Sequence, residues 1–150
     1  AKPKLVGFPL YPPYVEGEWA AVNTSTEFGE LHVRVRRASL VTTSKGAAEI
    51  WNPYMVVVSG RHLQKSRVMH ESLHPEWNEL INFDGQFGHF TSHPLVLKLY
   101  REARGDEDEL LGVVEVDLGF LAHKARKNFW EHLPSHGTLQ DGTVEFAVAR

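Results

Sequence analysis

From residue 29 the chain alternates between apolar and polar positions. Leu31, Val33 and Val35 are separated by His32, Arg34 and Arg36, and Ala38 and Leu40 carry the run on. A period of two is that of a strand with one face buried and the other wet. Tyr54 to Ser59 is mostly apolar and closed by Gly60, which predicts a second strand. A third is expected over about Leu63 to His70, then a turn over 71–75, then a fourth strand over about Trp77 to Asp84. Gly85-Gln86-Phe87-Gly88 should break the chain again. Pro94 opens a fifth strand, in which Leu95, Leu97 and Leu99 face one way and Val96, Lys98 and Tyr100 the other. A charged loop over 101–109 leads to a sixth strand at about Leu110 to Asp117. Phe120, Leu121 and Lys124 have helical spacing behind Gly119 and predict a short helix near residues 120–127. Phe129 to Leu133 and Gly142 to Val148 supply the last strands. Eight short strands at regular spacing predict an all-β fold, an eight-stranded antiparallel β-sandwich.

Residues 1–28 obey a different rule. Pro3, Pro9, Pro12 and Pro13 forbid a regular helix and interrupt strand pairing, yet Phe8, Tyr11, Tyr14 and Trp19 are too apolar for a solvated linker. The expectation is an extended Pro- and aromatic-rich arm, 1–28, lying on a sandwich domain, 29–150. A polyproline-like ligand for another module and a disordered segment are the alternatives.

Composition narrows the function classes. At 150 residues and 42% hydrophobic the chain can build one cored domain. A net charge of −3 argues against a general nucleic-acid binder, despite Arg34, Arg36 and Arg37 on the first strand. With no cysteine, disulfides and thiolate metal sites are impossible. No apolar run approaches the ~20 residues that span a bilayer. No signal peptide is visible after Ala1, and the chain reads as a piece of a longer protein. Among nine histidines, His70/His74, His89/His93 and His132/His136 are each four apart. That spacing chelates zinc on a helix, whereas these segments read as turns and strands, so no metal centre is expected. The chain has no G-x-S-x-G, P-loop or G-x-G-x-x-G, so neither an enzyme nor a small-molecule substrate is expected.

Three neighbouring stretches carry a more specific signal. They are Asn52-Pro53-Tyr54-Met55-Val56-Val57-Val58, the basic segment Arg61 to Val68, and His74-Pro75-Glu76-Trp77-Asn78-Glu79-Leu80-Ile81-Asn82-Phe83. Together with the opening G-x-L-x-V-x-V-x-x-A-x-L from Gly29, they resemble the C2 domain family, over about Gly29 to Arg150. The resemblance implies a C2-type sandwich. With the L-x-V-x-V strand first and an extra strand last, it also implies the circularly permuted, type II topology.

In that family, aspartates on two loops at one end bind calcium, which requires six to eight oxygen ligands. The position of the D in D-P-Y is Asn52 here, and the first loop, Thr42 to Glu49, offers only Glu49. The third-loop D-x-D positions become Arg101 and Ala103, and the last acid survives as Glu109. An arginine cannot give up its charge, so Arg101 should repel calcium and pair with Glu109. The expectation is therefore no cofactor and calcium independence. The alternative is weak calcium binding by Asp106, Glu107, Asp108 and Glu109.

The resemblance also implies a lipid site on the concave face, where the candidate residues are Tyr54, Lys65, Arg67 and Tyr100, with Arg61 and Lys98 as additions. Asp108 stands where the family has an asparagine and adds a negative charge. Read from the residues alone, Lys65 and Arg67 are two apart on one strand and should share a face. Trp51, with Ile50, is expected to cover the end of the sandwich, an interfacial anchor being the alternative. The resulting expectation is a calcium-independent C2 domain that docks a larger protein to anionic phosphoinositide or phosphatidylserine membranes. It would be cytoplasmic and peripheral at the intracellular face. The alternative is a protein-interaction or scaffold domain.

Overall fold

The structure, a computed structural model, describes residues 26–42, 51–103 and 105–150. The arm over 1–28 therefore lies outside the described residues except for its last three, as do Glu49, Ile50 and most of the first loop. The eight strands are β1 (Phe28–Thr42), β2 (Pro53–Ser59), β3 (His62–Lys65), β4 (Glu76–Gln86), β5 (Leu95–Arg101), β6 (Glu109–Val116), β7 (Arg126–Leu133) and β8 (Leu139–Ala149). They form two antiparallel four-stranded sheets, one in the order β4-β1-β8-β7 and the other β3-β2-β5-β6. The last of the eight thus lies inside its sheet beside the first, the arrangement that the permuted topology implies.

The inward faces carry the alternation seen in the sequence. Leu31, Val33, Val35, Met55, Val57, Leu95, Leu97, Leu99, Phe146 and Val148 meet in one core with Trp51 and Trp77. Val35 and Ala38 both point inward although three apart. The β1 register shifts between Val35 and Arg37, and this bulge absorbs the odd residue. The sandwich edge between β3 and β4 is stitched shut by Gln64 Nε2 donating to the Asn82 carbonyl and Arg67 Nη2 donating to that of Trp77, at 2.5 and 2.7 Å. At the opposite edge β6 and β7 meet closely enough that a Cβ on Gly112 would stand 3.0 Å from Leu133 Cδ2.

Three local expectations change. β3 ends at Lys65, well short of His70. Ser66 donates its amide to the Met55 carbonyl, but its hydroxyl replaces the backbone as acceptor for the Met55 amide. The next rung along β2, Met69 amide to Pro53 carbonyl, comes a residue late, so 66–69 bulge away from the ladder. β4 runs through Gly85 to Gln86 and then folds into a one-turn helix, α1 (Phe87–Thr91), where the sequence predicts only a break. The helical turn expected near 120–127 is a 3₁₀ turn over Leu118–Ala122, started by Asp117 accepting from the Gly119 amide. The chain is already extended at Arg126 because β7 must pair with β8. Among the described residues no helix is long and apolar enough to cross a membrane.

Candidate functional site

Pro53 at the start of β2, Arg101 at the end of β5 and Glu109 at the start of β6 are in register, which gathers the β5–β6 loop and the residues around Asn52 at one end of the sandwich. Two constellations sit there.

The first is closed by protein groups. Arg101 Nε donates to Glu109 Oε1 at 2.7 Å, with the two side chains 18% and 28% exposed. The same carboxylate accepts from the Thr138 hydroxyl at 3.0 Å and the Thr138 amide at 3.1 Å. The Arg101 guanidinium also lies over the Trp51 ring, 5.1 Å from its centroid. Burial by itself would raise the Glu109 carboxyl, but the Thr138 amide, the Arg101 guanidinium and the Thr138 hydroxyl outweigh it and hold the group below the usual range. Gly137, at φ +60°, lets the 137–138 turn approach, since a Cβ there would collide with Glu109 Oε2. Asn52 is likewise committed. Its side-chain oxygen accepts the amide of Glu71, a residue held at φ +55°, and its carbonyl accepts the amide of Glu102. Ala103 offers only a backbone amide, given to Asp108 Oδ1. Among the described residues no three or more His, Asp or Glu side chains group closely enough to hold a metal ion, and Asp106, Glu107, Asp108 and Glu109 are included in that statement.

The second constellation is built on Tyr54. On β2, Tyr54, Val56 and Val58 alternate with the core residues Met55 and Val57, so they face outward from their sheet. Tyr100, opposite Tyr54 on β5, stacks on it at 5.5 Å with an interplanar angle of 11°. Lys65 Nζ lies 4.6 Å from the Tyr54 ring centroid. The Tyr54 hydroxyl donates to Asp108 Oδ2 at 2.5 Å. Burial first, and the Asp108 bond second, push the phenol above its ordinary range, so it stays a neutral donor at physiological pH. The Tyr54 hydroxyl, then the Ala103 amide, and the Lys65 charge hold the Asp108 carboxyl low.

Of the six candidate lipid contacts, the structure unites Tyr54, Lys65 and Tyr100. Lys98 lies on the same outward face, level with Val56 and Val113. Arg67 does not join them. It falls in the 66–69 bulge, and its guanidinium turns to the β4 carbonyl of Trp77. Arg61 lies in the β2–β3 turn beyond Ser59, which is five residues up β2 from Tyr54, about 17 Å at the rise of a strand. The face is mixed in charge: Lys65 and Lys98 are offset by Asp108 and Glu115, and Leu63 and Val113 expose 58% and 43% of their surface. Trp51 is buried, so it covers the end of the sandwich and anchors nothing outside it. The roles of Thr138 and of the Tyr54–Asp108 bond had no local signal, because each joins residues 29 and 54 positions apart.

Comparison with known proteins decides the family. The family model of the C2 domain matches residues 29–133, well over half of the chain. The chain belongs to the C2 domain family. No curated protein matches this C2 domain in sequence. Among solved structures it is similar to CC2D1B, a protein of the mitotic reformation of the nuclear envelope (20% identity, TM-score 0.65, 80% of this chain and 54% of that one). It is also similar to a pair of C2 domains from extended-synaptotagmin 2 (23%, 0.65, 84% and 41%). A third is a C2 domain of plant extended synaptotagmin 1 (21%, 0.63, 80% and 92%). The chain therefore spans about half of the first of these and two-fifths of the second. At these identities the likeness is one of fold.

Proposed function

We propose that this C2 domain docks a larger protein, without calcium, to the anionic headgroups of a membrane surface, as a peripheral module at the intracellular face. The observation that carries the reading is the Tyr54 platform: a ring stacked on Tyr100, with the Lys65 ammonium over it at 4.6 Å, at the rim of the outward face. A lysine held over an aromatic ring loses little freedom when it meets a phosphate, and the buried Tyr54 ring supports the ammonium from beneath. Lys98 extends the positive charge along the same face.

Calcium independence rests on the neighbouring positions. Extended-synaptotagmin 2 has been solved with a pair of its C2 domains calcium bound. Here the Arg101 guanidinium already neutralises Glu109, and an amide, Asn52, and a methyl, Ala103, replace acids. Calcium would need the carboxylates that these residues lack. A second reading, a protein-interaction domain, draws on exposed Leu63 and Val113, which stand on the two edge strands of that sheet.

Co-sedimentation with phosphatidylserine and phosphoinositide vesicles, in calcium and in chelator, tests the proposal. Binding that ignores chelator and falls about fivefold in Lys65→Ala is expected, the effect of roughly 1 kcal/mol per basic residue near an anionic surface. Binding only in calcium would overturn it, and no binding in any buffer would leave the protein-interaction reading.

A further inference from the structure

The far end of the sandwich holds a cavity of about 460 Å³ that the reading above does not use. Its walls come from the β2–β3 turn (Ser59, Gly60, Arg61, His62), from β4 (Asp84, Gly85), from α1 (His89, Phe90) and from His93 just beyond. A space of this size is in the range that takes small molecules. The polar groups around it are unusual in kind. Ser59 occupies an inward position of β2, in line with the core residues Met55 and Val57, and is only 8% exposed. Its hydroxyl has no hydrogen-bond partner among the described residues and opens onto the cavity, so it is free to donate to whatever enters.

Arg61 brings a guanidinium with no carboxylate partner among the described residues. His62, His89 and His93 add ring nitrogens, the last two with their centroids 5.9 Å apart because α1 turns that stretch of chain. Gly60, at φ +59°, leaves room for the His93 ring, which would stand 3.3 Å from a Cβ there. A metal ion is the wrong occupant: no three ligating side chains converge, and a guanidinium lines the same wall. Four donor side chains beside an unpaired hydroxyl suit an oxyanion, and a planar guanidinium suits phosphate in particular. Asp84, the one acid lining the cavity among the described residues, is an acceptor and suits a ligand that also carries hydroxyl groups.

We propose that this cavity is an anion site for a small phosphate monoester bearing free hydroxyls. Arg61 and the imidazoles face the phosphate, Ser59 donates from the floor and Asp84 receives a ligand hydroxyl. The site stands apart from the Tyr54 platform, so it holds or fails independently of the membrane reading.

The test is a two-dimensional amide NMR titration of the full chain with inorganic phosphate and with glycerol 3-phosphate. Saturable shifts at Gly60, Arg61, Gly85 and His89 are expected, tighter for glycerol 3-phosphate. Arg61→Ala should weaken binding about tenfold or more, and Ser59→Ala about threefold, the scale of a charged and a neutral hydrogen bond. Lys65→Ala should change neither. Arg61 is exposed, so its variant keeps the fold, and the unshifted remainder of the spectrum checks it. Co-sedimentation with phosphatidic acid vesicles separates the two sources of such a group. Arg61-dependent capture assigns a lipid phosphate, and soluble binding without capture assigns a free one. No saturable shift, shifts that survive Arg61→Ala, or shifts confined to Tyr54 and Lys65 would overturn the proposal.

Discussion

Replacing Arg101 by alanine probes the closed calcium end most directly. The substitution removes one charge-assisted hydrogen bond to a carboxylate that is about three-quarters buried, worth about 1.5–3 kcal/mol. It also removes the guanidinium from the face of Trp51, worth about 0.5–1 kcal/mol. Thr138 keeps its two bonds to Glu109, so the variant avoids the full penalty of an unpaired buried charge. A loss of about 2–4 kcal/mol is expected, a fall in Tm of about 6–12 °C at roughly 3 °C per kcal/mol for a domain of this size. The loss should depend on pH with a definite sign. Glu109 sits below its unfolded value of about 4.3, so between the two values the unfolded chain binds more protons and stability rises with pH. The contribution is complete above about pH 4.3 and disappears as pH falls through the folded value. Thermal unfolding of wild type and Arg101→Ala at neutral pH and near pH 3 should therefore show a wide gap that narrows in acid. A gap of the same width at both pH values, or no gap at all, would refute the role given to this ion pair.

Asp108→Asn removes the acid beside Lys65 and should raise chelator-insensitive binding to anionic vesicles about fivefold. The same variant should bring the Tyr54 phenol down toward its ordinary range, followed by ultraviolet titration, though not all the way because burial remains. Asn52→Asp with Arg101→Asp and Ala103→Asp places three acids beside Glu109 and should create calcium binding. The variant's stability should then rise with calcium, by about 2.7 kcal/mol at a hundredfold excess over Kd, read as a higher Tm, with no rise in wild type. Gly137→Ala combines a positive φ with a collision on Glu109 and should cost about 1–3 kcal/mol by urea unfolding. Gly105→Ala also has a positive φ but open space around it, and should cost less.

How far the sequence alone leads can be traced residue by residue. Alternation placed β1, β2 and β5 well, because burial on one face and water on the other leave a period of two in the letters. The Arg101–Glu109 pair was legible too: an arginine and an acid that flank one loop, at the ends of adjacent strands, have little choice of partner. What failed to show depends on contacts made at long range. β3 stops at Lys65 because Ser66 offers a side-chain acceptor to Met55, a choice no hydropathy pattern records. Arg67 leaves the face of Lys65 for the same reason. α1 is a single turn, too short for a helical period to register, so the spacing of His89 and His93 reads as that of a turn. Ser59 ends an apolar run as many strand termini do, and only the packing of β4 and α1 around it reveals a cavity.

The place of β8 has a consequence for how the domain is made. The family match ends at Leu133, yet β8 follows it and hydrogen-bonds to β1 on one side and β7 on the other. Its partner β1 is the first of the eight strands to leave the ribosome, and their register joins His32 to Ala149. Loop closure over that distance is slow, and until it happens β1 and β7 each present an unpaired edge to other chains. Synthesis paused at Leu133, or a frameshift beyond it, leaves a nascent sheet with a gap at its centre. Such a chain is a substrate for chaperones and proteases, so a lesion in β8 would reduce the amount of protein far more than its remoteness from the Tyr54 platform suggests.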